Sequence, residues 1–157
     1  MTDARAVSPP EAIASLRQLL GPGGYLDDPA DVEPFLVDHR RRFRGVAPLV
    51  ALPDSTATVA ALVARCAELG LGIVPHGGNT SYCGGATPRP GGREIVVSLR
   101  RMNRIRALDP ANDAITVEAG CVLHDVQAAA EAAGRLFPMS LGSEVACTIG
   151  GNLATNA

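Results

Sequence analysis

A glycine-rich segment at residues 75–85 has the composition of an anion-binding loop. It reads PHGGNTSYCGG, with two glycine pairs on either side of the polar stretch Asn79–Ser81. Because glycine lacks a Cβ, such a backbone can turn successive N–H groups toward one anion, and the threonine and serine hydroxyls add further donors. The segment therefore predicts a pyrophosphate site, with an ordinary tight turn between strands as the alternative.

Two familiar phosphate-binding motifs, the P-loop and the Rossmann motif, are excluded by composition and by glycine spacing. All 14 basic residues are arginine, so the chain has no P-loop lysine and no lysine for a Schiff base or a general base. The glycine spacing also differs from the G-x-G-x-x-G of a Rossmann fold. Backbone N–H groups and the Thr80 and Ser81 hydroxyls can bind phosphate without a lysine.

The C-terminal segment, residues 138–157, has a composition that suits a binding surface for a large planar ligand. Its side chains are mostly small and almost free of charge, and Glu144 is its only ionisable carboxylate. Small residues let the backbone lie against a planar ring while N–H and C=O groups bind the ring edge. The alternative is a surface loop followed by the first turn of a helix.

The remaining reactive side chains form no recognisable motif. The four cysteines, Cys66, Cys83, Cys121 and Cys147, contain no C-x-x-C pair and are predicted to be reduced thiols. His39 and His124 are isolated, so no metal site is predicted. The run Arg40–Gly45 (RRRFRG) is either a solvated basic loop or an anion contact.

Hydrophobic periodicity predicts alternating helices and strands that position these segments. Helices are expected at residues 9–20, with Ser8 as N-cap and Gly21 as the stop, and at 29–36, 56–69 and 121–133. Helix 56–69 should begin at Ser55 or Thr56, end at Gly70, and bury one apolar face: Val59, Leu62, Val63, Cys66 and Leu69. Strands are expected at 46–52 and 71–75, and a three-stranded meander at 94–99, 105–108 and 114–118.

Composition sets broad limits on function. The chain has 157 residues, 46% of them apolar, which is enough for a packed core. Its net charge of −2 argues against nucleic-acid binding, and no apolar run approaches the roughly 20 residues of a membrane span. The N-terminus lacks the apolar stretch of a signal peptide, so a cytoplasmic protein is expected.

Four motifs in order resemble one family. PHGGNTSYCGG, LRRMNRIRALDP, ITVEAGCVLHDVQ and FPMSLGSEVACTIGGNLATNA are similar to the PCMH-type (vanillyl-alcohol-oxidase-like) FAD flavoproteins, in the branch that oxidises D-2-hydroxy acids. The stretch DHRRRFRG extends the resemblance, which covers residues 38–157. It implies an α+β fold: the first α/β lobe of a PCMH-type domain, with a mixed sheet and flanking helices, truncated before the second lobe is complete. Residues 1–41 would form an N-terminal helical segment and 42–157 the incomplete FAD-binding domain.

The resemblance implies which residues bind FAD. In the glycine loop these are Gly77, Gly78, Asn79, Thr80, Ser81, Gly84 and Gly85. Along the flavin and ribityl chain they are Pro138, Gly142, Ser143, Cys147, Thr148, Gly150, Gly151, Asn152, Ala154 and Thr155. Covalent-flavin members often carry histidine where this chain has Asn79, so the FAD is expected to be non-covalent. His76 is expected to be structural or solvent-facing rather than a base or flavin attachment point, and Cys147 also fits a buried packing role.

The resemblance also implies a reaction class. It is that of an oxidoreductase passing hydride from a D-2-hydroxy acid (the D-lactate, glycolate or D-2-hydroxyglutarate class) to FAD, with the electron acceptor and catalytic base unassigned. The chain alone is expected to be inactive, with a complementary C-terminal half or a second copy as partner. The alternatives are a truncated or split-gene fragment, or a PCMH-type oxidase of a sugar or alcohol.

Overall fold

The protein forms two compact units in the computed structural model, which describes residues 8–157. The described part of the first unit covers residues 8–76 and 81–98, and the second unit covers 77–80 and 99–157. The start of the predicted N-terminal segment, residues 1–7, lies outside the described residues. The boundary between residues 41 and 42 stays a prediction.

The first unit is built on a four-stranded mixed sheet in the order β1-β2-β4-β3. The strands are β1 Tyr25–Leu26, β2 Val50–Ala51, β3 Gly72–His76 and β4 Glu94–Ser98. β2 and β3 both run parallel to β4, whereas β1 is antiparallel to β2. The predicted strand at 46–52 is thus shortened to two residues.

Three helical segments pack in this unit. They are α1 Pro10–Leu20, α2 Pro29–Val32, continued by a 3-10 turn at Glu33–Phe35, and α3 Thr56–Leu69. The helix predicted at 29–36 is confirmed, although its second half is a 3-10 turn.

The ends of α3 are those that its sequence predicts. The Ser55 hydroxyl accepts a hydrogen bond from the Thr58 N–H at 3.2 Å, and Gly70 ends the helix in the left-handed conformation at φ +64°. Its buried face is narrower than predicted. Leu62 and Cys66 are fully buried, whereas Val63 is 47% exposed.

The start of α1 differs from the prediction. Pro9 occupies the N-cap position and provides no side-chain cap. Ser8 lies one residue too early to cap the helix, and its hydroxyl instead donates to the Gly92 carbonyl at 2.8 Å. The predicted stop is confirmed, because Gly21 ends the helix with a positive φ of +69°.

The basic run forms an ordered β-hairpin, here called the arginine hairpin (residues 36–45). Val37 and Arg44 pair across it, and the Asp38 N–H donates to the Phe43 carbonyl at 3.1 Å. The buried Asp38 carboxylate closes the turn, because it accepts the backbone N–H groups of Phe43 at 2.6 Å and Arg40 at 3.0 Å. These bonds, chiefly the one from Phe43, lower the Asp38 pKa from its usual value.

Arg41 in this hairpin has a backbone conformation that favours glycine. Its φ is +56°, in the left-handed region, which costs an L-residue with a Cβ roughly 1–2 kcal/mol. We therefore expect Arg41→Gly to be about 1–2 kcal/mol more stable to urea than Arg42→Gly, because both variants lose one exposed arginine but only the first relieves strain. Equal stabilities would contradict this explanation.

The second unit consists of a hairpin and two helices: β5 Ile105–Asp109, β6 Ala114–Val117, α4 Leu123–Ala132 and α5 Ile149–Thr155. Leu123 and Val126 of α4 are fully buried. The predicted three-stranded meander is wrong, since β5 pairs only with β6 and β4 lies in the other sheet. The reason is burial: residues 95–98 of β4 are all buried, as in an interior parallel strand, whereas β5 is mostly exposed.

Among residues 8–157, no helix combines the length and the apolar character needed to cross a membrane.

Candidate functional site

Each unit carries part of the residue set predicted to bind FAD. The second unit holds Gly77, Gly78, Asn79, Thr80, Pro138, Gly142, Ser143, Cys147, Thr148, Gly150, Gly151, Asn152, Ala154 and Thr155, and the first unit holds Ser81, Gly84 and Gly85.

The first half of the glycine loop lies directly against the C-terminal segment. A Cβ built on Gly78 would overlap the Ala146 carbonyl and come within 3.0 Å of the Cys147 Cα. A Cβ on Gly77 would overlap the Thr148 hydroxyl. Two backbones can approach this closely only where one of them carries no side chain. The structure thus brings together two segments that sequence analysis singled out separately, about 70 residues apart.

The loop offers backbone donors to a ligand. Asn79 has a positive φ of +53°, a conformation that asparagine tolerates better than most residues. Within residues 8–157, the backbone N–H groups of Gly78 and Thr80 donate to no protein acceptor. These N–H groups and the Thr80 hydroxyl can therefore bind an anion, as the composition predicts.

The C-terminal segment is fixed to the start of α4 by backbone hydrogen bonds. Val122 and Thr148 form an antiparallel bridge, flanked by bonds from the Leu123 N–H to the Cys147 carbonyl at 3.1 Å and from the Ile149 N–H to the Cys121 carbonyl at 2.9 Å. The segment facing Gly77 and Gly78 is therefore a rigid part of the second unit rather than a free loop.

The helix α5 was not predicted beyond a possible first turn. It begins at Thr148, whose hydroxyl accepts from the Gly151 N–H at 3.4 Å. Gly150 sits tightly against Ala119, because its N–H donates to the Ala119 carbonyl at 2.8 Å and a Cβ would lie 2.8 Å from the Ala119 Cβ. Two adjacent glycines disfavour a helix by propensity, so α5 depends on its Thr148 cap and on non-local contacts such as this one.

The other predicted residues of the second unit differ in their surroundings. Asn152 is buried, and its side-chain amide donates to the Met139 sulfur at 3.7 Å. Pro138, Ala154 and Thr155 are exposed. A Cβ on Gly142 would meet nothing within 4 Å, so no packing contact within the chain explains that glycine.

One side chain that sequence analysis missed orders this segment. The Gln127 amide donates to the Met139 carbonyl at 2.7 Å and to the Glu144 carboxylate at 3.3 Å. Gln127 is the polar, half-buried residue that follows Val126 on α4. A single polar position beside an apolar helix face was the only sequence signal for it.

A buried carboxylate anchors the turn that supports α5. The Glu118 side chain is fully buried and accepts the Arg104 N–H at 2.9 Å, the Arg104 guanidinium at 2.8 Å and the Arg106 guanidinium at 3.0 Å. These bonds, with the Arg104 side chain as the largest contributor, lower the Glu118 pKa to about 2. Glu118 directly precedes Ala119, so it fixes the turn on which Gly150 packs.

In the first unit, the second half of the glycine loop packs against the arginine hairpin. Gly84 has a φ of +70°, and a Cβ there would lie 2.7 Å from the Phe43 ring. Gly85 has open space around it, and the Ser81 hydroxyl accepts the Cys83 N–H at 3.4 Å. Gly84 is therefore required by both its conformation and its neighbour.

The histidines and cysteines lie largely where the sequence placed them. His76 is buried against the Phe35 ring, with centroids 4.9 Å apart, so it does not face solvent and its structural role stays a prediction, whereas His39 and His124 are exposed. All four cysteines are free thiols, Cys147 is buried as a packing residue, and burial raises the pKa of the Cys66 thiol. Among residues 8–157, no three His, Cys, Asp or Glu side chains cluster as metal ligands would.

Comparison with known families identifies the cofactor of this domain. Residues 47–157 match the FAD binding domain family. The chain belongs to that family. FAD is thus confirmed as the cofactor, and the resemblance to PCMH-type flavoproteins is confirmed with it.

Two curated relatives of this FAD binding domain carry the name D-2-hydroxyglutarate dehydrogenase. A probable mitochondrial D-2-hydroxyglutarate dehydrogenase of Oryza sativa subsp. indica is 36% identical over 145 residues, which are 92% of this chain and 26% of the relative. The D-2-hydroxyglutarate dehydrogenase of Xanthomonas citri pv. viticola is 36% identical over all 157 residues, 31% of its own length. The chain thus spans about a quarter to a third of these relatives.

Solved structures show the same fold. Alkyldihydroxyacetonephosphate synthase superposes with a TM-score of 0.84 at 22% identity, over 93% of this chain and 29% of its own. p-Cresol methylhydroxylase gives a TM-score of 0.74 at 19% identity, over 91% of this chain and 28% of its own. The predicted α+β fold with a mixed sheet, covering part of a PCMH-type domain, is confirmed.

The geometry of the second unit fits FAD independently of these comparisons. A side chain at Gly77 or Gly78 would overlap the C-terminal segment. The loop therefore has glycine at both positions, and no side chain covers its backbone there. A dinucleotide pyrophosphate binds such a backbone through N–H groups and hydroxyls, and the chain has no lysine that could replace them.

Proposed function

We propose that this chain is the FAD-binding part of an oxidoreductase that oxidises a D-2-hydroxy acid of the D-lactate, glycolate or D-2-hydroxyglutarate class. The observation that carries the proposal is the packing of Gly77 and Gly78 on Ala146–Thr148, which builds a backbone cradle at the loop. The names of the relatives support the substrate class.

In this proposal the chain binds and orients the cofactor. The N–H groups of Gly78 and Thr80, with the Thr80 and Ser81 hydroxyls, hold the pyrophosphate. The small residues of the 138–155 segment lie along the flavin and ribityl chain. When bound, FAD supplies the acceptor for the hydride that leaves the substrate α-carbon. We assign no residue of this chain as the base that takes the hydroxyl proton.

We further propose that the FAD is held non-covalently. Asn79 offers no nucleophile for attachment to a flavin, and the neighbouring His76 is enclosed against Phe35. Acid precipitation of the flavin-loaded protein should leave the yellow colour in the supernatant. A yellow pellet would contradict this part of the proposal.

Cofactor binding is tested by titrating the 157-residue protein into FAD and measuring flavin fluorescence anisotropy. We expect saturable binding, with riboflavin, which lacks the pyrophosphate, binding at least tenfold more weakly, about 1.4 kcal/mol. Equal affinity for both flavins would contradict a pyrophosphate site.

Substrate class is tested by anaerobic mixing of the flavin-loaded protein with D-lactate, glycolate and D-2-hydroxyglutarate. Loss of flavin absorbance with these acids and not with L-lactate supports the proposal. Loss with a sugar or an alcohol instead favours the other PCMH-type class. No reduction by any compound agrees with the expectation that the chain alone is inactive and needs a complementary half or a second copy, and the flavin titration then decides separately whether FAD binds. A cytoplasmic location is also a proposal, which cell fractionation would test.

A further inference from the structure

The arginine hairpin contacts the second half of the glycine loop through an aromatic ring. The Arg40 guanidinium carbon lies 3.8 Å from the centroid of the Tyr82 ring, and the His39 ring lies 6.2 Å from it. At this distance a guanidinium is attracted to the face of the ring. Arg40 lies on one face of the ring, and Tyr82 as a whole remains 56% exposed.

A second contact between the same two segments is apolar. The Phe43 ring packs on the bare backbone of Gly84. The position of Phe43 is itself fixed, since its N–H donates at 2.6 Å to the buried Asp38 carboxylate. The hairpin therefore places the Phe43 ring against Gly84, where the missing side chain leaves room for it.

The loop segment Ser81–Gly85 has few hydrogen bonds of its own. Those within or next to it are a 3.4 Å bond from the Cys83 N–H to the Ser81 hydroxyl and a 3.0 Å bond from the Thr87 N–H to the Gly84 carbonyl. The segment belongs to no helix or strand. A loop with so few internal bonds needs contacts from outside to hold one conformation.

We propose that the arginine hairpin positions Ser81–Gly85 for FAD binding, with Arg40 on Tyr82 and Phe43 on Gly84 as the two contacts that hold the segment. Arg40 and Phe43 are positioning residues in this scheme and do not touch the cofactor. The proposal rests on the proposed function in so far as Ser81, Gly84 and Gly85 contact the pyrophosphate.

Another arginine of the hairpin provides a control that distinguishes the positioning role of Arg40 from a general effect of positive charge. Arg44 is paired with Glu33, because its two terminal guanidinium nitrogens, Nη1 and Nη2, each donate to one oxygen of the carboxylate. The Arg42 side chain is exposed and, within residues 8–157, makes no ion pair and stacks on no ring. Arg42→Ala therefore removes the same charge from the same hairpin without disturbing either contact.

The first test measures hydrogen exchange of the protein without FAD. We expect Arg40→Ala and Phe43→Ala to raise amide exchange of Cys83 and Thr87, the two hydrogen-bonded amides of this loop, about tenfold, with exchange in α3 unchanged, while Arg42→Ala leaves both as in the wild type. Tyr82→Phe should exchange far more slowly than Tyr82→Ala, because it keeps the ring. Unchanged exchange of the loop in Arg40→Ala and Phe43→Ala would overturn the proposal.

The second test measures FAD dissociation constants at one ionic strength. We expect Arg40→Ala and Phe43→Ala to raise the constant about five- to tenfold, and Arg42→Ala to change it less than twofold. An equal effect of Arg42→Ala would overturn the proposal in favour of simple charge attraction. If the wild type binds no FAD, the proposed function fails, and the exchange measurement still decides whether the hairpin holds the loop.

Discussion

Gly78→Ala is expected to destabilise the second unit and to weaken FAD binding at least tenfold. The new Cβ would overlap the Ala146 carbonyl and crowd the Cys147 Cα, both of them backbone atoms that cannot rotate away. Overpacking of this kind costs roughly 1–3 kcal/mol, which corresponds to a fall in Tm of about 2–12 °C for a chain of this size.

Two glycines serve as matched controls for this substitution. Gly142→Ala, in the same unit, and Gly91→Ala, in the first unit, place a Cβ in open space without a positive φ, so neither should lower Tm by more than about 1–2 °C. FAD affinity is compared between Gly78→Ala and Gly91→Ala, because Gly91 is no predicted site residue. Calorimetry and flavin anisotropy supply the two readouts. A Gly78→Ala protein with wild-type Tm and affinity would show that the loop does not need its close contact.

Features set by local chemistry were predictable from the sequence. The start and end of α3 follow from a serine hydroxyl at Ser55 and a left-handed glycine at Gly70, which act on their own helix. The glycine loop could also be recognised from the sequence, because glycine exposes its backbone whatever the rest of the chain does. These predictions needed no knowledge of distant neighbours.

Features set by distant contacts were not predictable from pattern alone. The apolar run of β4 suits an antiparallel meander and a parallel interior strand equally well, and only its pairing with β2 and β3 decides between them. The helix α5 contains two adjacent glycines and depends on Ala119, some 30 residues away. The ordered arginine hairpin likewise depends on the burial of Asp38, which a run of charges does not reveal.

Glu118→Gln is expected to be the most damaging conservative change at a carboxylate. The glutamine keeps the shape of the side chain but loses the charge, and it replaces one acceptor oxygen with a donor that faces Arg104 and Arg106. Breaking a buried hydrogen-bonded network of this kind should lower Tm at pH 7 by about 5 °C or more. Because the turn before Ala119 supports α5, FAD affinity should fall as well.

The pH dependence of Tm tests whether the charge of Glu118 causes the loss of stability in Glu118→Gln. In the folded protein the Glu118 pKa is about 2, below its ordinary value of 4.5, so its stabilising effect is complete above about pH 4.5 and is lost as the pH falls toward 2. We therefore expect wild-type Tm to decline across that range and the Glu118→Gln curve to decline less steeply, so that the two converge. Glu131→Gln removes an exposed carboxylate from α4 and should leave the slope unchanged. Parallel curves for Glu118→Gln and the wild type would mean that the buried carboxylate contributes through packing and not through its charge.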